Sequence, residues 1–530
     1  MCIAKAFQIN LLMQLYCVVG RIEALARHWD VTTTQGIVRG YYKPTPPYFA
    51  FLGVPYARPP IGYDRFKPPK PPLQWDGIFE ATYQVRCPQA EHKGTENCLV
   101  VNVFVPATNQ TNMPVLVYFH DGHFQSGWGS FHPPPQFIVQ GIIIVTFNFR
   151  IGLPGFLCLR SPEIPGNVGL KDQVAALYWI NRNIAKFRGN PLDITVYGTG
   201  SGAISIEILL LSGASEGLHQ RAILESGSVL SPSSMTYTPI DDVLEAAHEL
   251  GYQGGENVKD LEDFFKELSI LKLLNISVMF LPCVERGSDQ SLVNNDPLEI
   301  LKSGNFLHIP MMIVYSNSKE MEIITNNKRF NTAPDNFEQL LPNNLDIDPE
   351  LRQKVGKLTK DFYFDDSVLH GDMIQSYIDY VNDIFMEYPS VKTAAYYSYK
   401  NVYPVFLMKF TYKLKTDDKT SSFRSNYGDV FQFVFSSKGS DDDGSNHVAQ
   451  ILRTLWSNFI KIGDPTPITT VLIPVVWIPV TNTITEDKIK FPKISYLHFG
   501  PKLQNKEIST QQFTFWEHIY INFYKRHSVS

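Results

Sequence analysis

The sequence predicts an α/β protein with a mainly parallel sheet, on three observations. Short β-branched runs alternate with helical patterns, the apolar residues of two of those runs follow one another without alternation, and one strand enters a tight glycine turn that opens a helix. Val115 to Phe119 and Ile142 to Phe147 are continuous apolar runs, the pattern of strands covered by helices on both faces. Gly169 to Phe187 follows as a helix, with Val174, Leu177, Tyr178, Asn181 and Ile184 spaced so that its apolar members share one stripe. Ile194 to Tyr197 is the next strand and Ser201 to Leu211 the next helix. This βαβα order returns each strand to the same end of the sheet and makes neighbours parallel.

The chain has 530 residues, so it is either several domains or one large α/β unit. No repeat, Gly/Ser linker or composition step divides it, and residues 27–530 are expected to form one domain with long loop and helical excursions. With 44% hydrophobic and 19% charged residues it has material for a packed core. A net charge of -5 and the lack of a long Lys/Arg run exclude the basic field that nucleic acid requires. Ser436 to Ser445 reads as a solvated loop, because Asp441, Asp442 and Asp443 lack the alternate spacing of a calcium loop. His120 and His123 stand three apart with no third ligand and no HExxH run, so neither metal nor cofactor is expected.

Residues 1–26 resemble a signal peptide: Lys5, an apolar stretch from Ile9 to Val19, then Ala24-Leu25-Ala26. The mature chain keeps Cys87, Cys98, Cys158 and Cys283, an even set in which Cys87 and Cys98 are near enough to close a short loop by a disulfide. Whether Cys158 and Cys283 pair stays open at this level. Asn109-Gln110-Thr111 and Asn275-Ile276-Ser277 are glycosylation sequons. No apolar run reaches the ~18 to 20 residues of a membrane span, so a secreted, soluble product is expected.

Asp193 to Gly202 reads DITVYGTGSG, a strand, a glycine turn and a helix start, which is the setting of a nucleophile elbow. The longer stretch from Gly166 to Gly202 resembles the type B carboxylesterase and cholinesterase family at nearly every position without a gap. Further matches are FLGVPYARPPIGYDRF from Phe51, ENCLVVNVFVP from Glu96, NFRIGLPGFL from Asn148, AILESGS from Ala222 and LWSNFIKIGDPTP from Leu455. The resemblance spans most of residues 30–525. It implies the α/β-hydrolase fold, a mostly parallel twisted sheet flanked by helices.

The same resemblance locates a catalytic triad that this chain has altered. The family's GxSxG places its serine third, and that position is Gly200. Ser201 comes one residue late, where its backbone N–H, not its hydroxyl, is expected to face a substrate. The family's base lies in an HGxE-like segment rendered here as Tyr427-Gly428-Asp429, so the histidine has become Tyr427. A phenol with a pKa near ~10 keeps its proton at neutral pH and is no general base. The acid falls on Glu320, although the glycine expected after it is Met321. The oxyanion-hole run HGGG is here His120-Asp121-Gly122-His123-Phe124, in which Gly122 survives, Asp121 brings a negative charge and the His123 ring is expected to crowd the hole.

The degenerate branch of the family, with glutactin, neurotactin, gliotactin and neuroligin, implies adhesion through an esterase-like domain. The expectation is therefore a secreted non-catalytic protein that binds an extracellular or cell-surface protein. Two other readings stand beside it: a carrier holding an apolar small molecule in the former gorge, and a residual ester hydrolase using Ser201. Family resemblance also allows dimers through C-terminal helices.

Overall fold

The computed structural model describes residues 28–90, 94–129, 133–286, 291–316, 337–364, 374–412, 429–435, 443–481, 494–508 and 511–527. Residues 1–26, Glu320, Met321 and Tyr427 lie outside that set. Among the described residues, thirteen strands form one sheet. In chain order they are β1 (His28–Thr32), β2 (Ile37–Pro44), β3 (Pro47–Pro55), β4 (Ile78–Glu80), β5 (Val100–Pro106), β6 (Met113–Phe119), β7 (Ile143–Phe147), β8 (Gly189–Thr199), β9 (Arg221–Glu225), β10 (Met311–Tyr315), β11 (Val405–Phe410), β12 (Ile494–Phe499) and β13 (Leu503–Ile508).

The spatial order is β1-β2-β3-β5-β7-β6-β8-β9-β10-β11-β12-β13, with β4 paired to β2. Every neighbour from β7 through β12 is parallel, while β1, β2, β3, β5 and β13 extend the sheet with antiparallel pairs. The fold is that of an α/β-hydrolase. Side chains of β6 alternate between two layers of core: Val115, Val117 and Phe119 join one, Leu116 and Tyr118 the other. Both layers are apolar, which is why β6 and β7 read as unbroken hydrophobic runs.

Three expectations need correction. Strand β8 begins at Gly189, well before Ile194. Its first half is held by pairing at its start with Met113 and by the ion pair from Arg221 to Asp193, so Leu192 stays exposed and no apolar pattern announces it. The next helix runs Val168–Asn183 and continues as a 3-10 turn, Ile184–Phe187. Its inward face is not the expected stripe: Tyr178 is exposed, whereas Lys171, Asp172 and Gln173 are buried alongside Leu170, Ala176, Leu177 and Ile180. Finally, the loop expected over Ser436 to Ser445 gives way at Asp443 to a long helix, Asp443–Ile462, while residues 436–442 lie outside the described set.

Two disulfides close the structure, Cys87–Cys98 and Cys158–Cys283. The second spans 125 residues and joins the loop before the helix Val168–Asn183 to the segment leading to Glu285. Gly166 lies against it: a Cβ there would stand 2.7 Å from the Cys158 sulfur. A cross-link over so long a loop removes much of the freedom of the unfolded chain. The double variant Cys158→Ser, Cys283→Ser is expected to lose about 2–5 kcal/mol in urea unfolding, and a loss below about 1 kcal/mol would show that the bridge closes a contact already rigid without it.

Candidate functional site

The parallel strands β6, β8, β9 and β10 have their C-terminal ends at one edge of the sheet. Strand β8 stops at Thr199, Gly200 makes the turn, and the helix Ser201–Ser212 begins at once. Its backbone crosses closely over neighbours. A Cβ on Gly198 would lie 2.4 Å from the Gly202 carbonyl carbon, and one on Gly202 would lie 2.2 Å from the Phe119 carbonyl oxygen. Gly200 itself has φ 50° and ψ -118°, a conformation that costs a residue with a Cβ about 1–3 kcal/mol. Its N–H donates to the Glu225 carbonyl at 2.9 Å, and its carbonyl accepts from Ile204 at 3.0 Å. The apex is thus a sharp elbow without a side chain.

The turn after β6 faces it. Asp121 Oδ1 accepts the Ser201 backbone N–H at 3.0 Å and the Ser201 hydroxyl at 3.1 Å. The N–H that the sequence left open toward a substrate is therefore already bonded, and to a carboxylate. The same oxygen accepts the His123 N–H at 3.4 Å. Gly122, at φ 136°, admits no Cβ, which would fall 1.9 Å from the Ser126 carbonyl oxygen. His123 and Phe124 are both left-handed, at φ 53° and 62°. His123 is exposed, Phe124 turns inward against Phe156, and Asp121 occupies the donors of Ser201.

His120 is buried behind this turn, stacked on Phe149 at 4.3 Å, with Nδ1 bonded to the Asp121 carbonyl oxygen at 2.9 Å. Burial pushes its pKa down to about 4, so it is neutral at pH 7. Among the described residues the acceptor of the Ser201 hydroxyl is a carboxylate, Asp121, and not an imidazole. Nor does any trio of His, Cys, Asp or Glu among the described residues stand ready for a metal ion.

Sequence reasoning missed two buried carboxyl groups near the elbow. Glu225, at the end of β9, accepts the Tyr197 hydroxyl with one oxygen and the Phe431 N–H at 3.0 Å with the other. It thereby pins the helix Asp429–Phe435, which begins two residues after Tyr427. Ser226 follows in a left-handed conformation, φ 53°, its hydroxyl 3.5 Å from that of Ser316, the residue after β10. Glu207 lies on the elbow helix between Ile206 and Ile208, accepting the Val229 N–H at 2.8 Å. A carboxyl group inside an otherwise apolar helix was the available signal.

Burial raises the Glu207 pKa from 4.5 to about 8, outweighing the Val229 and Thr393 hydrogen bonds. The folded state then holds a proton that the unfolded chain releases near pH 4.5. The stability this supplies is full below that point and is lost as pH rises through about 8. Glu207→Gln is expected to flatten the fall in unfolding free energy between about pH 5 and about pH 8.5, by an amount on the order of a few kcal/mol, read from urea unfolding at each pH. An unchanged pH profile in the variant would contradict a buried proton at this position.

Both sequons are accessible. Asn109 is exposed in the turn after β5, and Asn275 is exposed just beyond the short helix Ile270–Leu273, with the Ser277 hydroxyl donating to Glu249. Among the described residues no helix is long and apolar enough to cross a membrane.

Comparison with known proteins places this geometry. The model of the carboxylesterase family matches residues 28–516. Neuroligin-3 of Mus musculus is 28% identical over 587 aligned positions, covering 94% of this chain and 70% of the relative. Juvenile hormone esterase of Tribolium castaneum is 30% identical over 497 positions, covering 83% of this chain and 84% of the relative. The solved structure of juvenile hormone esterase from Manduca sexta, with OTFP covalently attached, aligns with a TM-score of 0.81 over 93% of this chain and 100% of that one, at 25% identity. Esterases and a neuroligin are thus similar to this chain to a like degree. With the family matched over residues 28–516, the chain belongs to the carboxylesterase family.

Proposed function

We propose that this protein is a non-catalytic carboxylesterase-family member that acts outside the cell by binding another protein. The observation that carries the reading is the Asp121 carboxylate on the Ser201 N–H, beside an elbow that bears no oxygen at Gly200. Acyl transfer needs a nucleophile at the apex and free donors where negative charge develops. Here the apex is glycine, and a tetrahedral oxyanion would meet a like charge where it needs a hydrogen-bond donor. In a related triad system, loss of the nucleophile or base costs ~10⁶ in turnover, and loss of one oxyanion donor costs ~10² to 10³. Tyr427 in place of the base adds to the same reading. Ser201 is a poor substitute, since its hydroxyl donates to a carboxylate that is held in place by two further N–H groups.

A role by binding agrees with the likeness to Neuroligin-3. The address-like residues 1–26, two disulfides and two exposed sequons support passage through the secretory pathway. The test uses the full chain expressed in a secreting cell and collected from the medium. Hydrolysis of p-nitrophenyl acetate and labelling by a fluorophosphonate are expected to stay at background, while glycosidase treatment lowers the apparent mass and cross-linking on intact cells captures a surface protein. Turnover that disappears in Ser201→Ala would overturn the reading.

A further inference from the structure

Away from the elbow, the helices Pro297–Ser303, Tyr388–Lys400 and Gln511–Phe523 meet around a cavity of about 350 Å³. That is the lower end of the ~300–1,000 Å³ range of small-molecule sites, room for one or two rings. Its walls come from these helices and the residues that follow the last of them, with Leu230 from the segment after β9. Two features define its chemistry. Tyrosine rings dominate the walls, with Tyr388 stacked on Tyr520 at 4.7 Å and Tyr396 lying under the Lys392 ammonium at 5.1 Å. The charged groups that line it are all cationic: Lys302, Lys392 and Arg526.

Two carboxylates are ion-paired with those cations. Lys392 is neutralised by the buried Glu517, which also accepts the Tyr388 hydroxyl at 3.0 Å. Lys302 and Arg526 share a single acceptor among the described residues, Glu299, at 3.1 Å and 3.6 Å. A third carboxylate, Asp296, accepts the Tyr524 hydroxyl and the His527 N–H, so Lys302 and Arg526 stand together at the mouth on one shared ion-pair partner. A carboxylate or sulfonate placed there gains two charge-assisted partners, and aromatic carbon behind it replaces water against the tyrosine rings.

We propose that this cleft binds a compact aromatic monoanion, its acid group between Lys302 and Arg526 and its rings against Tyr396 and Tyr520. The site is independent of the elbow and of whether the elbow catalyses anything.

The probe is 2-naphthoate, titrated into the full chain by its fluorescence, with 2-naphthamide as the uncharged match. Saturable binding of one naphthoate per chain is expected, at least ten times tighter than the amide and weakened by added salt. The double variant Lys302→Ala, Arg526→Ala alters two exposed side chains and is expected to keep the wild-type thermal midpoint. It should lower naphthoate affinity about tenfold or more and leave the amide unchanged. Leu298→Trp, which fills the cleft without touching charge, should abolish binding of both. Equal affinity for acid and amide, an unaltered naphthoate titration in the double variant, or no saturation by ~1 mM would each overturn the proposal.

Discussion

Serine at the elbow and histidine at position 427 are expected to leave this protein a poor hydrolase until Asp121 is also removed. The double variant Gly200→Ser, Tyr427→His supplies the two groups that the family resemblance assigns to nucleophile and base. It leaves the Ser201 N–H bonded to Asp121 Oδ1, so the donor for the oxyanion stays occupied by a group of the wrong sign. One oxyanion donor is worth ~10² to 10³ in turnover. The triple variant with Asp121→Gly should therefore hydrolyse p-nitrophenyl acetate about a hundredfold faster than the double, with the gain in kcat and little change in KM. Serine at position 200 also has to adopt φ 50°, ψ -118°, so Gly200→Ser alone should lower stability by about 1–3 kcal/mol. If the double variant already reaches the rate of the triple, Asp121 moves aside when substrate enters, and the blocked hole is not what silences the site.

This dependence on Asp121 marks the limit of what one sequence conveys. The residue type was visible, as was its place in the HGGG-like run. Its partner lies 80 positions away, and the contact exists because β6 lies beside β8 and brings the two turns together. The glycine at position 200 needed no such knowledge, since the local pattern of strand, turn and helix fixed its place. The core was legible in the same uneven way. Val115 to Phe119 announced β6 because both its faces are apolar, whereas the first half of β8 is held by backbone pairing and one ion pair and leaves no hydrophobic trace. The helix Val168–Asn183 misled because hydrophobic periodicity counts charged residues as outward. Here Lys171, Asp172 and Gln173 point inward, bonded to Glu285, Arg150 and Ser205.

The buried pair Arg150–Asp172 carries the largest expected effect on stability. Both side chains are almost fully excluded from solvent, and the guanidinium bonds both carboxylate oxygens, at 2.7 Å and 2.6 Å. Arg150 also donates to the carbonyls of Arg65 and Lys67, at 2.9 Å and 2.8 Å, so it ties the end of β7 to the helix Val168–Asn183 and to the loop after β3. Arg150→Met keeps the volume but strands a carboxylate and two carbonyls, and is expected to cost about 3–5 kcal/mol in urea unfolding. Adding Asp172→Leu should restore much of that loss, because the pair's mutual attraction largely offsets its own desolvation. The pH dependence identifies the cause. Burial already raises the Asp172 pKa and Arg150 pulls it back, so removing the guanidinium raises it further. A carboxyl group with a raised folded pKa supplies stability below its unfolded value near ~3.9 and loses it as pH rises through the folded value. The deficit of Arg150→Met should accordingly widen from about pH 4 upward until Asp172 ionises, then level off. A deficit that is constant with pH would mean that lost packing and the two carbonyls, not the stranded charge, account for the instability.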